Sequence, residues 1–132
     1  MKTLTIKLDT EQAAQILIAA AAAYPMGLVA HINGQANCAK RGIQVPADQI
    51  LEIFRPDFAV RVWKAEKQAG FDIPLRIHLY DSDGKTKVAF RTAQEIFAPY
   101  GNQELNRIAG ELDEIFDQLL SALKPHEMED AA

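Results

Sequence analysis

The chain has 132 residues, 48% hydrophobic and 24% charged, with 14 Lys and Arg against 18 Asp and Glu and a single cysteine. That length suits one domain, which buries roughly two-thirds of its unfolded surface on folding and needs no metal or disulfide staple; the apolar content excludes disorder, and Cys38 alone excludes both an internal disulfide framework and a cysteine-only zinc site. Charge is uneven, ten basic against seven acidic residues over 40–91 and two against nine over 92–132, and nothing resembles the dense basic footprint of a nucleic-acid binder. Met1 to Leu8 holds no long apolar segment of the secretory kind, and the alanine-rich run Ile16 to Pro25 is too short and too weakly hydrophobic to span a bilayer. A cytoplasmic protein without nucleic-acid or membrane partners is the expectation.

Leu4, Ile6 and Leu8 alternate with Thr3, Thr5 and Lys7, the pattern of a half-buried strand. Asp9 or Thr10 caps a helix, with Gln12 three residues after Asp9 as in a capping box. Ala13, Ile16, Leu17 and Ala20 form its stripe to about Ala23, and Pro25 and Gly27 end it. Its alanines leave a thin surface that suits close approach to a sheet or to a second subunit.

Leu28 to Ile32 reads as a second strand, followed by an irregular polar stretch marked by Asn33, Gly34, Asn37 and Gly42. Ile50, Leu51, Ile53 and Phe54 make a third, in which the Ile50–Leu51 doublet implies cover on both faces or a bulge. Pro56 opens a second helix, with Phe58, Val62, Ala65 and Ala69 on its buried stripe and Trp63 on the margin; Gly70 stops it. Leu75, Ile77 and Leu79 alternate with Arg76, His78 and Tyr80, the turn Asp81-Ser82-Asp83-Gly84 follows, and Lys87 to Arg91 returns with Val88 and Phe90 inward, an antiparallel hairpin. A short helical piece spans Ala93 to Ala98. Asn102 then caps a last helix in which Leu105, Ile108, Ala109, Leu112, Ile115, Phe116, Leu119 and Leu123 keep the 3.6 period until Pro125. The order β-α-β-β-α-β-β-α predicts one α+β domain over residues 1–124, its sheet mainly antiparallel with helices packed on one face, and a flexible tail over 125–132.

The first strand with its capped helix, the run Ile50-Leu51-Glu52-Ile53-Phe54-Arg55-Pro56, and above all Gly70-Phe71-Asp72-Ile73-Pro74-Leu75-Arg76-Ile77-His78-Leu79-Tyr80-Asp81 followed by Asp83-Gly84 resemble the family known as domain of unknown function 302. The resemblance covers roughly residues 3 to 123. It implies a small α+β domain with a curved antiparallel sheet, often dimeric, and no particular activity. Many members carry Cys-Asn-Pro where this chain has Phe54-Arg55-Pro56, and Pro-Cys where it has Pro74-Leu75, so no cysteine-based activity carries over.

Arg76, His78 and Tyr80 share one strand face, because strand side chains repeat every two residues, and Arg91 belongs to the same hairpin. On a concave face they would bind a carboxylate or phosphate, Arg by its fork and His and Tyr by single donors; on a solvated face they do nothing special. His31, Cys38 and His78 are chemically suited to zinc or copper, though their spacing matches no compact ligand motif and no cofactor is expected. Asp81-Ser82-Asp83-Gly84 begins like a calcium loop, but a hairpin turn explains it, since position twelve is Thr92 rather than glutamate. Gly27, Gly34 and Gly42 lack phosphate-loop spacing. Trp63, with Arg61, Lys64 and Lys67 near it, is either an interface anchor or a core margin.

Three functional readings follow. The first is a non-enzymatic homodimer that binds a small molecule or a partner, and it leads because no converging catalytic constellation is visible. The second is an enzyme using the Arg76, His78 and Tyr80 face, with His78 as acid or base. The third is a metal-handling protein using His31, Cys38 and His78. The homodimer rests on the alanine surface of the first helix, on Trp63 at a stripe edge, and on the complementary charge of the middle and C-terminal parts.

Overall fold

The computed structural model of the protein describes residues 1–129. Its strands are β1 (Lys2–Ile6), β2 (Gly27–Asn33), β3 (Asp48–Phe54), β4 (Leu75–Ser82), β5 (Lys85–Phe90) and β6 (Glu127–Met128); its helices are α1 (Thr10–Ala23), α2 (Gly34–Ala39), α3 (Pro56–Ala65), α4 (Ala93–Phe97) and α5 (Gln103–Leu120). The strands form one open sheet in the order β2-β3-β4-β5-β1-β6, antiparallel throughout. Period-two patterning places Ile6, Leu51, Ile53, Leu75, Ile77, Leu79 and Val88 on a face buried under the helices. Ala13, Ala14, Leu17, Ala20 and Ala21 of α1 and Leu105, Ile108, Leu112, Phe116 and Leu119 of α5 complete that core. The buried alanines of α1 thus serve close approach within the subunit.

Local chemistry sets the element ends. Asp9 accepts from the Gln12 amide while the Gln12 side chain reaches back to the Asp9 amide, the reciprocal box read in the sequence. Asn102 caps α5 through the Leu105 amide. The β4–β5 turn places Asp83 at φ 53° and Gly84 at φ 82°, two successive left-handed residues whose twist matches the strands they join.

Several elements differ from the sequence reading. The stretch after β2 contains α2, because Asn33 accepts from the Ala36 amide as an N-cap; no residue of α2 is buried, so no apolar stripe marks it. The register shift lies between Leu28 and Ala30 of β2, while β3 pairs β4 without interruption through Ile50 and Leu51. Helix α3 stops at Ala65, where Glu66 turns extended (φ −156°, ψ 102°), and a 3-10 turn over Lys67–Asp72 carries the chain past Gly70. Helix α5 ends at Leu120 and passes into a 3-10 turn, Ser121–His126, which keeps Leu123 buried and contains Pro125. The sequence reading ends the domain at Lys124, but the chain continues as β6, with Glu127 opposite Ile6 and Met128 opposite Thr5. Residues 130–132 of the expected tail lie outside the described residues.

Candidate functional site

The helices leave the other face of the sheet open, and its side chains follow from the register. One row across β2, β3, β4, β5 and β1 reads Ile32, Ile50, His78, Ala89, Thr3. Glu52 stands opposite Arg76 in the next row, and Asp48, Tyr80, Lys87 and Thr5 make the row on the other side. The last pair of the β4–β5 ladder is Ile77 with Phe90, so Arg76 and Arg91 each stand one residue beyond it, at the same end of the strand pair. The Ile50–Leu51 doublet has its explanation here: Leu51 is fully buried in the core, and Ile50 floors the open face.

That face holds a cleft of about 590 Å³ at the Arg76 end. Ile50, His78 and Ala89 form its floor, Glu52, Arg76, Arg91 and Met1 lie along it, and Phe71, Ile73, Pro74 and Ile96 make a mainly apolar rim that also carries Asp72. Phe71 is 91% exposed. The rim is tied to the body where the Tyr100 hydroxyl donates to the Asp72 carboxylate, which holds the tyrosine's proton on and pushes its pKa up; ahead of it, the Asn102 side-chain amide donates to the carbonyl of Ala65 at the end of α3, at 2.8 Å.

Most polar groups of the cleft already have partners. An Arg76 Nη2 donates to Glu52 Oε1 at 3.1 Å. His78 Nε2 lies 3.0 and 3.1 Å from the two Asp48 oxygens, so it donates to a carboxylate, and its ring sits 4.9 Å from that of Tyr80. Arg91 lines the cleft and has no hydrogen bond or ion pair among the described residues. The cleft therefore takes in three of the four residues singled out in the sequence, Arg76, His78 and Arg91. Tyr80 lies beyond it, on the far side of His78.

The structure does not bring His31, Cys38 and His78 together. His31 pairs with Leu51 and shares its face of the sheet, while His78 pairs with Ile50 on the other; Cys38 is partly buried in α2. No group of three His, Cys, Asp or Glu able to hold a metal occurs among the described residues. His31 enters a different arrangement. Its Nε2 donates to Gln49 Oε1 at 2.6 Å, the buried Gln49 donates to Glu11 Oε2 at 2.7 Å, and Gln15 donates to the other oxygen at 3.0 Å. The donors from Gln49 and Gln15 lower the Glu11 pKa. This chain fastens the start of α1 to the edge of the sheet.

Trp63 is 44% exposed. Its ring lies over Gly70, where an added Cβ would stand 2.9 Å from the indole nitrogen, with Lys67 Nζ 5.2 Å from the ring centre. No helix among the described residues is long and apolar enough to cross a membrane.

Residues 2–123 match the model of a family described as domain of unknown function DUF302. The fold is similar to the crystal structure of an uncharacterized conserved DUF302 protein from Bacillus stearothermophilus, with a TM-score of 0.82 and 17% identity over 92% of this chain and 96% of that one. At that identity the likeness is one of fold. No curated protein matches the sequence.

Proposed function

We propose, from the premise that the chain belongs to the domain of unknown function DUF302 family, that it is a non-enzymatic domain that takes a small molecule in the cleft of the open sheet face and works as a homodimer. The cleft carries the reading. It is a concave site in which the apolar Phe71, Ile73, Pro74 and Ile96 stand beside converging polar groups from Arg76, His78 and Arg91, a form suited to small molecules, and its volume lies in the usual range. A binding role is favoured over catalysis because Glu52, Asp72 and His78 are each held by another side chain, and among the described residues no Ser, Thr, Cys or Lys lines the cleft to act as nucleophile. A cytoplasmic location belongs to the same proposal, since one partly buried thiol needs no oxidising compartment.

The test is a two-dimensional amide NMR screen of the full chain with a chemically mixed fragment set. Hits are expected to shift Arg76, His78, Ala89 and Arg91 together. Shifts that cluster instead on the outer surface of α3 would end the cleft reading.

A further inference from the structure

We infer that the cleft's ligand is an apolar-bodied monocarboxylate, its carboxylate held between Arg76 and Arg91 and its body against the rim; this deepens the proposed binding role and rests on it. The first ground is the arginine pair. Arg76 and Arg91 both line the cleft, each one residue past the last β4–β5 pair, Ile77 with Phe90, and like charges gathered at one end of a site repel. Glu52 offsets Arg76 from the β3 side, while Arg91 makes no ion pair or hydrogen bond among the described residues. An anion between the two removes the repulsion, and a planar carboxylate matches the guanidinium fork in both shape and charge.

The second ground is the charge of the whole lining. Arg76 and Arg91 are balanced by Glu52 and Asp72, all four lining the cleft, and the ammonium of Met1, which also lines it, is paired with Glu95 at 2.8 Å, so these charges cancel in the unliganded site. A single negative charge is met locally by Arg91; a dianion such as a phosphate monoester would bring its second charge against Glu52. The third ground is the rim. Phe71 is almost wholly exposed, at the edge of a cleft whose other walls include Ile73, Pro74 and Ile96. An apolar ligand body would cover that ring, and a carboxylate without one, such as acetate, would not.

The experiment is an NMR titration of the full chain with benzoate and hexanoate as probes. Benzyl alcohol and benzylamine serve as uncharged and cationic counterparts, phenyl phosphate as the dianion, and acetate as the carboxylate without a body. Benzoate and hexanoate should shift the cleft amides with affinities at least about tenfold above the alcohol, the amine and acetate, the scale of one charge-assisted contact. Arg91→Gln should remove that margin, and Arg91→Lys, which keeps the charge but not the fork, should recover only part of it. Equal affinity for benzyl alcohol overturns the carboxylate while leaving a binding cleft in place. Equal affinity for acetate overturns the apolar body, and tighter binding of phenyl phosphate than benzoate overturns the single charge. If no probe shifts the cleft amides, both the ligand class and the binding role fall.

Discussion

The Thr86 hydroxyl is fully buried, donates to the Leu8 carbonyl at 2.8 Å and stands 3.2 Å from the Thr10 hydroxyl. Valine has nearly the same shape and no hydroxyl, so Thr86→Val leaves both neighbours short of a partner where water does not reach. We expect a loss of about 1–3 kcal/mol, read from the urea midpoint at unchanged slope. At this scale the sequence shows apolar positions well and polar ones poorly. The alternation around Leu75 and Ile77 and the spacing that puts Phe116 on the buried face of α5 are visible because periodicity registers hydrophobicity. Gln49 is invisible in the same way. It is buried on the core face of β3 with its amide spent on His31 and Glu11, and nothing local to residue 49 announces two partners 18 and 38 positions away.

Among the elements, two glycines in unlike settings respond oppositely to alanine. Gly84 sits at φ 82° in the hairpin turn, where a side chain is strained whatever the space, so Gly84→Ala should cost about 1–2 kcal/mol. Gly110 lies inside α5 with nothing within 4 Å of a built Cβ, so Gly110→Ala should add up to about 1 kcal/mol by helix propensity. Thermal melts of the two single variants should move in opposite directions.

The ties between elements carry a pH dependence. Glu11 joins α1 to β3, and Glu111 of α5 binds Arg61 of α3 through paired hydrogen bonds. Both carboxyls have pKa values lowered from 4.5, Glu11 by the Gln49 and Gln15 donors and Glu111 by Arg61. A folded value below the unfolded one means that stability is present above pH 4.5 and lost as pH falls through the folded values. The denaturation midpoint should therefore drop between pH 6 and pH 3, and less steeply in Gln49→Leu, which removes the largest cause of the Glu11 shift. The elements were legible wherever a cap and a stripe occurred together, as in α1 and α5. Helix α2 has a cap but no buried face, and the 3-10 turns after α3 and α5 continue an apolar pattern past the end of regular hydrogen bonding.

For the whole molecule, the open face was legible as a row of Arg76, His78 and Tyr80, but the cleft was not. Its rim comes from the turn before β4 and from α4, and only the chain path brings Phe71 and Ile96 to a floor built from three strands. The proposed homodimer belongs to this scale too. Leu28, Val29 and Ile32 are exposed on the edge strand β2, and Val60 and Trp63 on α3, apolar surface of the kind that centres an interface. Sedimentation at micromolar concentration should return twice the chain mass, insensitive to moderate salt because apolar area rather than charge would supply most of the affinity; one chain mass throughout would exclude the dimer.

The contact between Trp63 and Gly70 also makes the protein its own optical reporter. The chain contains one tryptophan, and its indole lies directly on the residue that precedes Phe71, with a lysine ammonium over its ring. Emission excited in the indole band therefore comes from a single site packed on Gly70, the residue bonded to Phe71 at the cleft's mouth. Any movement of that segment changes the distance from the ring to the ammonium and the water around it, and so the colour and yield of the fluorescence. Binding of the proposed ligand should therefore change the Trp63 emission at sub-micromolar protein, without a label, and an unchanged spectrum at saturating ligand would exclude movement of that segment.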